Sequence, residues 1–189
     1  MENNYANQLL ISMPNLKDPP FEKAVIYICQ HSEQGAMGLV LTHPLKPKLS
    51  ELFTQLDITL PKDTTTIDNT DLYLGGPVEP EHGFILHSYH EEPLQSSIQV
   101  SSEFFISTSK DILNAISEDK GPDNAIVALG YTGWSAGQLE QEITEGSWLN
   151  APSDSHIVFE TDVDQKWQMA LKSIGIKDPA KLTGFSGHA

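Results

Sequence analysis

The segment Gly133-Trp134-Ser135-Ala136-Gly137 matches the G-x-S-x-G pattern that surrounds the serine nucleophile of many hydrolases. In those enzymes the serine lies on a sharp turn between a strand and a helix, and the helix N-terminus helps to bind an oxyanion. The apolar run Ala125–Tyr131 predicts the strand, and the spacing of Ser135 and Gln138 predicts a capping box for a helix that runs to about Glu145. The pattern is therefore compatible with a small hydrolase that uses Ser135.

Such a hydrolase also needs a histidine base, and His156 and His188 both follow Ser135 in the chain. Asp154 or Asp162 would then orient the imidazole ring. The competing interpretation is structural, with Ser135 as a helix cap and the glycines allowing a turn beside a packed tryptophan. Because caps of this type are common at helix starts and the pattern is short, we favour the structural interpretation.

Cys29 and His31 offer a second nucleophile. They are two residues apart at the end of an apolar run that predicts a strand, so their side chains are expected on the same side. A thiolate beside an imidazole is a reactive pair, but a cysteine in an apolar strand is more often simply buried. As Cys29 is the only cysteine, it forms no internal disulfide, and a reducing, cytoplasmic setting fits best.

Neither the histidines nor the glycines predict a cofactor. His82, His87 and His90 lack the spacing of a known metal-binding motif, and His87 and His90 would not share a face of one strand. The glycine-rich segments Gly35–Gly38 and Gly75–Pro77 contain neither a P-loop lysine nor a dinucleotide-binding pattern. We therefore expect no metal and no cofactor.

The charge of the chain argues against two classes of partner. The sequence of 189 residues has 26 acidic and 11 basic residues, and all the basic ones are lysines. A net charge of −15 opposes association with nucleic acid and with anionic lipid, and arginine is the usual reader of phosphates and guanine edges. We expect no direct binding to nucleic acid and none to membranes.

The predicted strands and helices that must position these residues follow no regular alternation along the chain. Hairpin strands are predicted at Ala24–Cys29 and Met37–Leu41, and Pro61–Asn69 is expected to be a mobile loop. A helix is predicted to begin at Thr108, and Ile157–Phe159 is predicted to be a strand. Hairpins interspersed with helices favour a single α+β domain over residues 1–189 with a largely antiparallel sheet.

Several motifs, taken together, resemble the YqgE/AlgH family of bacterial proteins, and they occur in order along nearly the whole chain. These are Asn7–Pro14, Asp18-Pro19 with Phe21, Val25–His31, Gly35–Val40, Gly75–Val78, Gly83–His87, Ala128–Tyr131, Gly133-Trp134, Gly137–Glu140, Trp148-Leu149, Pro152 and Gly187–Ala189.

The resemblance implies one α+β domain built on a branched, barrel-like, mostly antiparallel sheet with flanking helices. It supplies no catalytic residues, and its regulatory label comes from a branch linked to control of exopolysaccharide (alginate) synthesis. The family often has arginine where this chain has His43 and His82, so an anion held there would be bound weakly and in a pH-dependent manner. The family also often has another residue at Ser135, which argues against a nucleophile.

These observations favour a soluble, cytoplasmic regulatory or interaction protein that binds a protein or a small ligand and does no chemistry. The alternative is a small hydrolase that uses Ser135 with His156, or Cys29. We expect the turns at Gly35–Gly38, Gly75–Pro77 and Thr132–Glu140 to gather on one side. The residues then expected to contact a ligand are His31, Gln138, Glu140, Gly75 and Gly76.

Overall fold

The structure, a computed structural model, describes residues 4–19, 21–91 and 96–185, without the side chains of 183–185. It divides into two units, which we call unit 1 (Met1–His43 with Thr132–Ala189) and unit 2 (Pro44–Tyr131). The expectation that residues 1–189 form a single domain stays a prediction.

The described residues form ten strands and five α-helices. The strands are β1 (Gln8–Ser12), β2 (Val25–Ser32), β3 (Gly35–Val40), β4 (Pro44–Lys48), β5 (Asp71–Leu74), β6 (Val78–His87), β7 (Ile98–Gln99), β8 (Phe105–Ser107), β9 (Ala125–Ser135) and β10 (Trp148–Pro152). The α-helices are α1 (Leu49–Gln55), α2 (Thr65–Asn69), α3 (Lys110–Ser117), α4 (Gln138–Thr144) and α5 (Val163–Ser173). A π-helical turn (His156–Glu160) and a 3₁₀ helix (Pro179–Phe185) complete the list.

Unit 1 contains an antiparallel sheet in the order β10, β1, β2, β3, and then the last residues of β9. The apolar residues of β1 and the β-branched and aromatic run at the start of β2 are buried, as their composition predicts. One face of this sheet and helix α4 share a core. Its buried members are Tyr5, Leu10, Ala24, Ile26, Ile28, Val40, Trp134, Leu139 and Trp148.

Unit 2 contains strands in the order β4, β5, β9, β6, β8, β7, with residues 125–131 of β9 near the centre. Only the β5–β9 pair is parallel among the described strands. One cluster of buried residues in this unit is aliphatic apart from one phenylalanine. Its buried members are Leu49, Phe53, Ile58, Ile67, Leu72, Ile85, Ile112, Leu113 and Val127.

The predicted α+β class is confirmed, and so is a mostly antiparallel, branched sheet, since β9 pairs with β3, β5 and β6. Within the described residues, no helix combines the length and the apolar character that a membrane span requires. The described histidines, cysteine and acidic residues likewise form no cluster of three or more that could hold a metal ion.

Three local predictions are wrong. The segment Pro61–Asn69 contains helix α2, because Ile67 supplies a buried anchor to a turn that is otherwise polar. Ile157–Phe159 belongs to the π-helical turn, where Ile157 and Val158 are buried without strand pairing. Helix α3 begins at Lys110, two residues later than predicted, with Ser109 as its N-cap and Asp111 accepting hydrogen bonds from the Ser109 hydroxyl and the Ile112 N–H.

Candidate functional site

The segment that matches the nucleophile pattern is not a nucleophile elbow. Strand β9 continues through Ser135, and the sharp turn comes at Gly137, the N-cap of α4, with a φ of 74°. The Ser135 N–H donates to Gln138 Oε1 at 2.9 Å, as one half of the predicted capping box requires, but the prediction that Ser135 is the N-cap is wrong, because Gly137 is the N-cap of α4. Ser135 therefore lies on an extended strand, without the strained turn that exposes a catalytic serine.

Strand register also separates Ser135 from the nearest histidine in the sheet. Trp134 lies opposite Ala36, which lies opposite His31, so these three side chains share one face of the sheet. Ser135 lies opposite Gly35, one residue further along, and points to the other face. A dyad of Ser135 with His31 is therefore excluded by the pleat of the sheet.

The other proposed partners are placed elsewhere. His156 lies in the exposed π-helical turn, where its Nδ1 is 2.9 Å from Glu160 Oε2. His188 lies outside the described residues. Among the described residues, no hydrogen bond joins Ser135 to His156.

Cys29 is buried, and burial raises the pKa of its thiol far above the ordinary range. A β-bulge between Ile28 and Gln30 interrupts the strand alternation from which a shared side for Cys29 and His31 was predicted. The thiol donates a weak hydrogen bond to the Tyr27 carbonyl at 3.8 Å. This environment disfavours the thiolate form that a nucleophile needs.

His31 is instead a structural link to helix α4. Its Nδ1 accepts the backbone N–H of Tyr5 at 3.1 Å, and its Nε2 is 2.7 Å from Glu140 Oε1. Since Nδ1 is an acceptor, the proton belongs on Nε2, which donates to Glu140. The pKa of Glu140 lies below its usual value because its own backbone N–H and then His31 hydrogen-bond to the carboxylate.

Glu142, which sequence analysis did not single out, organises the most polar part of the unit 1 core. Its Oε2 accepts the indole N–H groups of Trp134 and Trp148, at 2.8 and 2.9 Å. Its Oε1 accepts the amide N–H of Gln138, one helical turn earlier, at 2.9 Å. The available signal was the need of two buried indoles for an acceptor, together with the i, i+4 spacing of Gln138 and Glu142.

These side chains line a pocket of about 420 Å³, which we call the aromatic pocket. The rings of Phe21 and Trp148 meet edge to face, with centroids 5.7 Å apart and planes at 83°. Trp148 and Trp134 also meet edge to face, at 6.4 Å and 82°. The polar side chains in the lining include Gln138 and the carboxylates of Asp18, Glu142 and Glu145. A concave site with aromatic walls and a few fixed polar groups is typical of a ligand pocket.

His31 and Glu140 line a separate and more open groove of unit 1, together with Tyr5 and Ser32. Of the predicted ligand-binding residues, His31, Gln138 and Glu140 thus come together around helix α4. They divide between the groove and the aromatic pocket. Their role in ligand binding stays a prediction.

The remaining predicted residues, Gly75 and Gly76, lie in unit 2 and are buried. The Gly75 N–H donates to the Leu129 carbonyl at 2.8 Å. Gly130 has a φ of 70°, and a Cβ added to it would lie 2.5 Å from the Gly76 carbonyl oxygen. This close backbone contact accounts for the glycine at 130. The turns Gly35–Gly38 and Thr132–Glu140 meet through β3 and β9, whereas the gathering of all three turns stays a prediction.

The two histidines at positions where the family often has arginine do not form an anion site. Burial lowers the pKa of His43, so its ring is neutral at pH 7. His82 is exposed, and its Nδ1 lies 3.5 Å from a carboxylate oxygen of both Glu79 and Glu81. Two neighbouring carboxylates disfavour an anion at His82.

Comparison with known proteins agrees with the resemblance in the motifs. A family model described as AlgH-like matches residues 9–179. A UPF0301 protein of Xanthomonas euvesicatoria is 46% identical over 184 residues, which is 97% of this chain and 96% of that protein. A UPF0301 protein of Hahella chejuensis is 47% identical over 191 residues, with coverage of 97% and 95%.

Two solved structures are also similar. The solution structure of the AlgH protein from Pseudomonas aeruginosa has a TM-score of 0.79 and 37% identity, and the match covers 100% of this chain and 98% of that one. Protein DIP2367 from Corynebacterium diphtheriae shares the fold, with a TM-score of 0.70 at 21% identity and coverage of 100% and 94%. With the family model matching most of its length, the chain belongs to the AlgH-like family.

Proposed function

We propose that this protein is a soluble, cytoplasmic, non-enzymatic regulatory or interaction protein that acts by binding a ligand in the aromatic pocket. The observation that carries the proposal is the shared carboxylate of Glu142, which holds the indoles of Trp134 and Trp148 in place. Walls fixed in this way need little reordering when a ligand enters, and this lowers the entropic cost of binding.

The charge distribution supports a partner other than nucleic acid. Helix α4 carries Glu140 and Glu142 and contains no lysine, so it offers nothing to a phosphate backbone. The net charge of −15 opposes association with duplex DNA. Regulation by this protein would then act through a small ligand or another protein.

Ligand retention tests the proposal directly. Ser147 lines the aromatic pocket, and Ser147→Phe would place a ring inside it. Ser102→Phe, at an exposed position in unit 2, is the matched control. Each purified protein is incubated with extract of the native cell, and the retained small molecules and proteins are identified by mass spectrometry.

We expect a ligand that the wild type and Ser102→Phe retain and that Ser147→Phe loses. Identical retention by all three proteins would show that the aromatic pocket is not the binding site. Stoichiometric labelling of Ser135 by a fluorophosphonate, abolished by Ser135→Ala, would overturn the non-enzymatic proposal and favour the hydrolase alternative.

A further inference from the structure

We infer that the aromatic pocket takes a small organic cation, an alkylated ammonium ion, and this inference rests on the proposed function. Its basis is the combination of Trp134, Trp148 and Phe21 with three carboxylates around one cavity. Either feature alone would be ambiguous, since aromatic rings also bind neutral ligands and surface carboxylates are common. Together they match what an ammonium ion with apolar substituents requires.

The aromatic walls point in more than one direction. Trp148 is nearly perpendicular both to Phe21 and to Trp134, with interplanar angles of 83° and 82°. Rings arranged in this way surround a rounded group better than parallel rings do. A cation near the π face of tryptophan is attracted by the ring quadrupole, and the attraction grows when water is excluded.

The charge of the lining has one sign. Asp18, Glu142 and Glu145 contribute carboxylates, and no lysine or histidine is among the described lining residues. The three groups that donate to Glu142 are two indoles and one amide, all neutral, so its negative charge is not cancelled by them. An anion in this pocket would be repelled, and a cation would be attracted.

The size of the cavity favours a whole small molecule. Its volume of about 420 Å³ lies within the range of roughly 300–1,000 Å³ that is usual for small-ligand sites. A metal ion is a poor fit, because rings occupy directions in which a metal would need oxygen or nitrogen ligands. The alkyl groups of a substituted ammonium ion would contact the apolar part of the lining, while its charge would be attracted to the carboxylates.

The test compares choline with 3,3-dimethylbutan-1-ol, which has nearly the same shape but no charge. The readout is the set of indole N–H signals in ¹H–¹⁵N NMR spectra of the full chain. Trp134 and Trp148 donate to Glu142 in the pocket, whereas Trp167 donates to the Ser12 carbonyl at 3.0 Å and serves as an internal control. We expect choline to shift the first two signals and the neutral alcohol to bind at least about tenfold more weakly.

Charge-neutralising variants locate the effect. Asp18→Asn combined with Glu145→Gln removes two negative charges from the lining, and we expect it to weaken choline binding about tenfold. The control, Asp164→Asn combined with Glu103→Gln, removes two exposed charges outside the lining and should leave the affinity within about twofold.

Equal binding of choline and the alcohol would overturn the cation inference while leaving a ligand site in place. No shift of either pocket indole with choline or with tetramethylammonium would also overturn it. In both cases the extract experiment with Ser147→Phe still decides the proposed function, because it does not depend on the charge of the ligand.

Discussion

The two units differ in how far their cores depend on hydrogen bonds. All three tryptophans of the chain belong to unit 1, and each indole N–H there has an acceptor, Glu142 for two of them and the Ser12 carbonyl for Trp167. The core of unit 2 is mostly aliphatic and requires no such partner. The packing of the tryptophans in unit 1 thus depends on specific hydrogen bonds, whereas the core of unit 2 depends mainly on close packing of apolar side chains.

The contrast extends to the polar side chains that each unit buries. In unit 2, His87 is held by the carbonyl of the next residue, Ser88, and by the Ser97 hydroxyl, both at 2.8 Å, and burial lowers the pKa of its ring. In unit 1, the contacts of Glu142 and Glu140 link helix α4 to strands and to the chain near Tyr5. Because this network joins several elements, ligand binding at one of them can alter the hydrogen bonds of the others.

The largest expected loss of stability comes from a substitution in the core of unit 2. Phe53 in α1 is fully buried, and Phe53→Ala should lower the free energy of unfolding by about 4 kcal/mol, through lost burial and a cavity. Urea unfolding followed by circular dichroism measures the change, with the exposed Gln55→Ala in the same helix as control. A loss below about 1 kcal/mol would mean that packing does not dominate unit 2.

A smaller loss is expected from the polar network. Glu142→Leu introduces an apolar side chain of similar size but leaves two indole N–H groups without their acceptor, so the free energy of unfolding should fall by about 3 kcal/mol. The exposed Gln141→Leu is the matched control. In a double-mutant cycle, Trp148→Phe should reduce the cost of Glu142→Leu, and strict additivity would contradict the network.

The third prediction concerns a buried charge. Lys166 in α5 is buried, its Nζ donates to the Val158 carbonyl at 2.6 Å, and burial lowers its pKa to about 8 from the ordinary 10.5. Between those pH values Lys166 binds more protons in the unfolded chain, so its contribution to the free energy of unfolding should rise with pH, by roughly 3 kcal/mol. Lys166→Met should remove this rise, while the exposed Lys172→Met should keep it.

The two variants also show whether Lys166 causes the rise. A rise between pH 8 and 10.5 that survives Lys166→Met would have to come from another group. The direction is the reverse of an ordinary ion pair, because a lysine stabilised in its charged form would make the protein less stable as the pH rises.

Local composition was enough to predict much of the fold. A run of β-branched and aromatic residues predicted β2, and the apolar segment after the following turn predicted β3. The same rule failed for Ile157–Phe159, since a short apolar run is buried equally well in a helical turn. It failed for α2 because a single buried isoleucine gives no periodicity to detect.

The candidate site was less accessible to sequence reasoning. His31 and Glu140 were both singled out, but their contact spans 109 positions in the chain and depends on the pairing of β2, β3 and β9. For Glu142 the signal in the sequence was only indirect, because the convergence of Trp134 and Trp148 on its carboxylate depends on the packing of β9 and β10 against α4. The nucleophile pattern occurs here without a nucleophile elbow because β9 runs through Ser135, and the extent of a strand is fixed by its partners rather than by its own residues.

The smallest expected effect concerns that same segment. The backbone N–H of Ser135, not its hydroxyl, pairs with the Gln138 side chain, and the serine side chain is exposed. Ser135→Ala should therefore change the free energy of unfolding by less than about 0.5 kcal/mol, whereas Gln138→Ala should cost about 1 kcal/mol. Equal costs would show that the hydroxyl caps α4. If Ser135→Ala has a negligible effect and ligand binding is kept, then Ser135 contributes through its backbone at the start of α4. The side-chain hydrogen bonds of this region then come from Gln138 and Glu142.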